Sequence, residues 1–195
     1  METDIRIRMA RWEDAPALLD IFTPYVLQTA VAFNYEPPTL EEFRATMEDR
    51  LRRYPYLVAQ RGGELIGYAY ASPFKARAAY DWAVETTIYL APEAKGCGLG
   101  RRLYEALEQA LKAQNILNLN ACISEPEVED EYLTKQSHRF HEHMGYRLVG
   151  EFHLCGYKFN RWYHMIWMEK HIGEHTADQP AVIPFLQLTE TRNCD

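Results

Sequence analysis

The sequence predicts an α+β fold, a single domain with a mixed, mostly antiparallel central sheet flanked by helices. Three observations carry that expectation. Strands and helices do not alternate regularly, as a doubly wound parallel sheet requires. A meander of strands precedes a single strand-turn-helix unit instead. The chain of 195 residues is long enough for one domain with a substantial core and hardly for two.

Taken in order, Ile5-Arg6-Ile7-Arg8-Met9 alternates apolar and charged residues and reads as a half-buried strand. From Trp12, the residues Leu18, Leu19, Phe22 and Val26 recur at helical spacing. Glu13 and Asp14 suit the first turn, and Pro24 is expected to break or kink the helix midway. Thr39-Leu40-Glu41-Glu42 is a capping box for a second helix with Phe43, Met47 and Leu51 on its apolar face. Tyr56 to Ala59 and Leu65 to Tyr70 flank Gly62-Gly63 as a hairpin whose second arm ends at Pro73. A third strand runs from Trp82 to Leu90 and is closed by Pro92. The next helix begins near Gly100, with Leu99, Leu103, Leu107 and Leu111 as its buried stripe.

Ile116 to Ile123 is another strand. Residues 124–136 carry Glu125, Glu127, Glu129, Asp130 and Glu131 and are expected as a solvated acidic insertion. A helix from Ser137 to Met144 ends at Gly145, and strands from Tyr146 to Tyr157 and Trp162 to Glu169 close the domain. Past Gly173 the chain is polar and proline-punctuated, an ordered extension or a loose tail. The division is therefore residues 1–171 and 172–195.

The formal net charge of −7 argues against a nucleic-acid binder and requires local groups to hold any anion. Cys97, Cys122, Cys155 and Cys194 form no C-x-x-C pair, so neither a zinc ribbon nor a redox motif fits and reduced cytosolic thiols are expected. No signal-peptide apolar region opens the chain and no run approaches a membrane span. The expectation is a cytoplasmic protein without a membrane. Most of the 13 Tyr are read as aromatic core, with a lined pocket the rival reading.

Lys95-Gly96-Cys97-Gly98-Leu99-Gly100 lies between a strand and an amphipathic helix. Glycines let the backbone turn sharply, and the N–H groups of the new helix N-terminus can hold a phosphate. Lys95, Arg101 and Arg102 add local positive charge. A Walker A loop needs Lys and Ser or Thr after its last glycine, but Arg101-Arg102 follow Gly100. The spacing G-x-G-x-G, deep in the chain, is a poor dinucleotide fingerprint. A glycine turn without a ligand stays open on this motif alone.

On the strand before the turn, Val84, Thr86, Ile88 and Leu90 share one face while Glu85, Thr87 and Tyr89 share the other. Glu85 is either a base or a structural partner of a nearby Arg or Lys. His138, His141 and His143 do not make a metal site, because His143 leaves the face of the other two.

The pattern [QR]-x-x-G-x-[GA] after a strand resembles the pyrophosphate loop of GCN5-related N-acetyltransferases (GNAT), with Lys95 where Gln or Arg is usual. The stretch Lys75-Ala76-Arg77-Ala78-Ala79-Tyr80-Asp81-Trp82-Ala83-Val84-Glu85-Thr86-Thr87-Ile88-Tyr89 resembles the phosphinothricin N-acetyltransferase subgroup. His141-Glu142-His143-Met144-Gly145-Tyr146 and Gly156-Tyr157-Lys158 do too. The resemblance covers roughly residues 5–170. It implies a splayed strand pair that holds coenzyme A, with acetyl-CoA as cosubstrate and no metal. It places Ile88, Tyr89, Leu90, Lys95, Gly96, Cys97, Gly98, Leu99, Gly100, Arg101 and Ser137 at the cofactor, though Ser137 can equally cap its helix.

The same resemblance assigns Glu85 as general base and His141 as donor to the leaving thiolate or orienter of substrate, against a gap-filling role. Lys75, Arg77, Phe33, Thr87 and Tyr104 are assigned to the acceptor. The implied reaction is acetylation of a small amino-acid-like amine by direct attack, with a covalent route through Cys97 disfavoured. Acetylation of a protein N-terminus or lysine, and a non-catalytic acyl-CoA sensor, are the alternatives. A homodimer is open. The acidic stretch 124–136 is longer than the subgroup carries, and the family Asn near it lacks a clear counterpart.

Overall fold

The computed structural model describes residues 5–192. Cys194 and residues 1–4, read above with the cysteines and the N-terminus, lie outside the described residues. Seven strands form one sheet in the order β1-β2-β3-β4-β5-β7-β6. They are β1 Ile5–Met9, β2 Tyr56–Arg61, β3 Glu64–Pro73, β4 Ala83–Leu90, β5 Asn118–Glu125, β6 Arg147–Lys158 and β7 Arg161–His171. Every pairing is antiparallel except β4 with β5. The helices are α1 Ala15–Gln28, α2 Leu40–Arg53, α3 Leu99–Ala113, α4 Gln136–His143 and α5 Phe185–Arg192.

The two faces of β4 separate the helices. Tyr89 meets Phe22 and Tyr25 of α1 at ring distances of 4.9 and 5.0 Å. On the opposite face, Thr86 bonds Tyr146, and Ile88 lies beside Gly100 of α3. The stripe Leu99, Leu103, Leu107 and Leu111 is fully buried there. Burial of that stripe contributes roughly 1.5–3 kcal/mol per side chain and pins the glycine turn at the helix start.

Thr39 caps α2 with Glu42 returning the bond, as the capping box predicts. The β2–β3 turn at Gly62-Gly63 has φ of 58° and 97°, which glycine adopts freely. Pro24 does not break α1. The helix runs through it, because the carbonyl it leaves unbonded belongs to exposed Asp20, while buried Leu18, Ile21 and Val26 hold the helix to the sheet.

The acidic stretch meets the expectation in part: Glu127, Glu129 and Glu131 are exposed, but Glu125 and Asp130 are not. Glu125 is 5% exposed and pairs with His138 and Lys135. Asp130 caps the N–H groups of Tyr132 and Leu133, pairs with Arg161 and accepts from the Tyr163 hydroxyl. Alternation of acid and apolar residues hid this ordered loop, since the partners come from β7 and α4.

Residues 172–192 form an ordered extension after β7. The Gln114 amide donates to the Arg53 and Ile183 carbonyls, and the Trp82 indole donates to the Pro180 carbonyl. Phe185 is buried. Among the described residues, no helix is long and apolar enough to cross a membrane.

Candidate functional site

β4 pairs with β5 only from Ala83↔Asn118 to Glu85↔Asn120. Beyond that point the strands part, which leaves the backbone of β4 from Thr86 to Leu90 without a strand partner on that side. A cavity of about 720 Å³ opens at the splay, within the usual range for a small-molecule site. Ile88, Leu90, Lys95, Gly96, Gly98, Leu99, Gly100, Arg101 and Ser137 line it.

Gly98 is the N-cap of α3 with φ of 78°, no side chain caps the helix there, and Gly96 has φ of 76°. Among the described residues, nothing lies within 4 Å of where a Cβ would stand at either position. The turn therefore combines a left-handed backbone, open space and uncapped first-turn N–H groups, which suits a diphosphate. Lys95 extends over the Tyr25 ring at 4.8 Å and lines the cavity. Arg102 does not supply charge to the turn, because its guanidinium donates to the Ile5 carbonyl at 2.8 Å. The Cys97 thiol turns back to the Ala94 carbonyl, and the Tyr89 side chain packs on α1, so neither side chain lines the cavity.

Ser137 lies one residue inside α4, whose N-cap is Lys135, so it lines the cavity rather than capping the helix. Tyr25, Thr134, Phe140 and Met144 share the wall and escaped the sequence reading. Phe140 was detectable in part, since it follows Ser137 by three residues on one helical face. A Cβ on Gly100 would stand 3.0 Å from the Phe140 ring, which explains glycine at that position.

Glu85 is half-buried on the face of β4 toward α2. Burial pushes its pKa above the usual carboxylate range, and the Lys75 and Arg50 cations oppose that shift. Arg50, which the sequence did not single out, stacks 4.1 Å over the Tyr70 ring. Lys75 lies 4.8 Å from the Phe74 ring and 5.4 Å from the Trp167 ring. Thr87 shares the Glu85 face. Arg77 is exposed at the start of a short 3-10 turn, and the structure ties its carbonyl to the Tyr80 N–H. Phe33 packs against Tyr163, 6.4 Å between ring centres, and a Cβ on Gly156 would collide with it. Its loop is anchored by buried Lys158, whose ammonium donates to the Val26, Thr29 and Ala32 carbonyls at 2.6, 2.9 and 2.6 Å.

Two placements depart from expectation. Tyr104 is 1% exposed among the buried residues of α3, on the opposite side of β4 from Glu85, so it does not line an acceptor pocket. His141 is 4% exposed, and its ring is also absent from the cavity wall. Its Nδ1 lies 2.7 Å from the Ser137 carbonyl, which only accepts, so Nδ1 carries the proton. Nε2 then accepts from the Tyr104 hydroxyl at 3.0 Å. Burial lowers the His141 pKa to about 4. A neutral imidazole with both nitrogens engaged does not fit direct proton donation to a thiolate. The resemblance marked the histidine but not this burial.

A family model described as the acetyltransferase (GNAT) domain matches residues 7–167. The phosphinothricin N-acetyltransferase of Streptomyces viridochromogenes is 38% identical over 159 residues, covering 82% of this chain and 83% of that protein. The L-methionine sulfoximine/L-methionine sulfone acetyltransferase of Salmonella typhimurium is 28% identical over 173 residues, covering 88% and 96%. A solved GNAT superfamily phosphinothricin acetyltransferase from Sinorhizobium meliloti, in complex with AcCoA, matches with a TM-score of 0.84 at 32% identity, over 93% of this chain and 96% of that one.

Proposed function

The chain belongs to the GNAT acetyltransferase family and is an acetyl-CoA-dependent N-acetyltransferase of small amino-acid-like substrates; from that premise we propose that its acceptors include phosphinothricin and methionine sulfoximine or sulfone, with Glu85 as the base. The observation that carries this reading is the half-buried Glu85, its pKa raised by burial, on the strand that splays into the cavity.

The glycine turn and the splay fit acetyl-CoA. Bound there, it supplies the acetyl thioester, and the transfer draws on no metal. Lys95, Arg101 and the first-turn N–H groups of α3 hold its diphosphate, and Ser137 and Phe140 flank the other wall. The Ile88 backbone, open on the side away from β3, would meet the thioester arm, while Tyr89 is paired with β3 and the Tyr25 hydroxyl bonds the Leu90 N–H and carbonyl. A main-chain N–H there would steady charge developing on the carbonyl oxygen.

A protonated amine cannot attack a thioester. Glu85 removes that proton, directly or through water, and its raised pKa suits the task. Lys75 attracts the carboxylate or phosphinate of the acceptor, joined by Arg77 when substrate bridges them, while Phe33 and Thr87 bound the acceptor space. His141 and Tyr104 tie α4 to α3 behind the cavity wall, so solvent rather than His141 would supply the proton to the leaving thiolate.

We further place the protein in a reducing, cytoplasmic setting, supported by the unpaired Cys97, Cys122 and Cys155. Exposed Leu148, Val149, Phe152 and Trp162 on the β6–β7 hairpin support a homodimer. The direct test is thiol release from acetyl-CoA across an amine panel led by methionine sulfone and phosphinothricin. Turnover with N-acetyl product is expected on these two. Turnover confined to peptide N-termini or lysines, or absent on every amine, overturns the reading.

A further inference from the structure

The β6–β7 hairpin carries a group of side chains that the acetyl transfer does not use. Ligand atoms of Glu151, His153 and His164 all lie within 4.8 Å of one another. Glu151 and His153 are two residues apart on β6 and share a face. The ladder between β6 and β7 is irregular from Phe152 to Gly156, and this bulge brings His153 beside His164 of β7, with ring centres 5.2 Å apart. None of the three lines the cavity at the splay.

His164 is the informative member. It is 9% exposed, and among the described residues neither ring nitrogen has a hydrogen-bond partner. Nδ1 sits 3.0 Å from a Glu151 oxygen, but the contact lacks hydrogen-bond geometry. A neutral imidazole needs one donor and one acceptor, and an imidazolium needs two acceptors. Neither requirement is met, so a buried ring is left with its nitrogens unsatisfied beside a carboxylate and a second imidazole. A cation accepting a lone pair from each group resolves that arrangement.

We propose that Glu151, His153 and His164 bind a divalent transition metal of the zinc type, at a site separate from acetyl transfer. Two imidazoles and a carboxylate are a familiar zinc donor set, with water completing a tetrahedron. Calcium and magnesium prefer oxygen donors throughout and fit poorly. The bound ion ties the bulged edge of β6 to β7.

The test is titration of untagged, chelator-treated, full-length protein with Zn2+ by calorimetry, with Co2+ absorption as a readout of tetrahedral coordination. Wild type is expected to take one ion per chain. His153→Ala, at an exposed position, is expected to weaken binding at least about tenfold, lose the tetrahedral cobalt spectrum and keep its acetyltransferase turnover. His171→Ala and His138→Ala are expected to leave binding intact. No zinc binding by wild type, equal binding by His153→Ala, or loss of binding in His171→Ala or His138→Ala instead overturns the proposal.

Discussion

The Tyr104 hydroxyl donates to Nε2 of His141 at 3.0 Å while the Nδ1 proton of the same ring is held by the Ser137 carbonyl at 2.7 Å. One neutral tautomer of a buried histidine thus links α3 to α4 behind the cavity wall. Unfolded, the ring titrates at its ordinary 6.5, and folded it titrates at about 4. Between those values the unfolded chain holds more protons, so stability is full above pH 6.5 and falls as pH drops toward 4. The loss amounts to about 3 kcal/mol. Denaturant melts of wild type and His141→Gln at pH 4.5 and 7.5 check this. The variant is expected to be less stable at pH 7.5 and to lose less on acidification.

Gly98 holds φ of 78° at the N-cap of α3. Gly98→Ala puts a Cβ in a left-handed conformation at a cost of roughly 1–2 kcal/mol. Relief of that strain tilts the first-turn N–H groups away from the diphosphate. Steady-state kinetics are expected to show KM for acetyl-CoA rising about tenfold with KM for the amine little changed.

Lys158 is a buried cation satisfied by three carbonyls of the segment Val26 to Ala32. Lys158→Met removes three charge-assisted bonds and strands their acceptors. Thermal melts are expected to show a loss of about 2–3 kcal/mol. The loop bearing Phe33 loosens with it, so KM for the amine is expected to rise more than KM for acetyl-CoA.

Lys75 lowers the Glu85 pKa against the larger effect of burial. Lys75→Met removes that cation, so the Glu85 pKa rises further. The acid limb of kcat/KM is expected to move to higher pH by about half a unit to one unit. A pH–rate profile on an uncharged amine reads this without the loss of acceptor binding that a carboxylate substrate would add.

The cofactor half of the site was legible because local rules govern it. Glycine spacing between Pro92 and the leucine stripe of α3 marks the turn, and the capping box at Thr39 marks the start of α2. Alternation along β4 put Glu85 and Thr87 on one face. What the sequence hid depends on partners distant in the chain. Arg50 faces Glu85 because of how α2 crosses the sheet, Glu125 is buried by His138 and Lys135, and Tyr104 turns its hydroxyl to His141 rather than to an acceptor. Of the break or kink expected at Pro24, the break does not occur, because the buried face of α1 holds the helix to the sheet.

In the proposed reaction Glu85 takes the proton from the amine, and the pH dependence of kcat/KM for Glu85→Gln beside wild type reads that role. Wild type is expected to lose rate in acid along a limb above the ordinary carboxylate range, the direction in which burial moves this group. Glu85→Gln is expected to lose that limb and to fall by about 100-fold or more in rate, with KM for acetyl-CoA preserved. A variant with wild-type turnover and an unchanged acid limb would contradict the assignment.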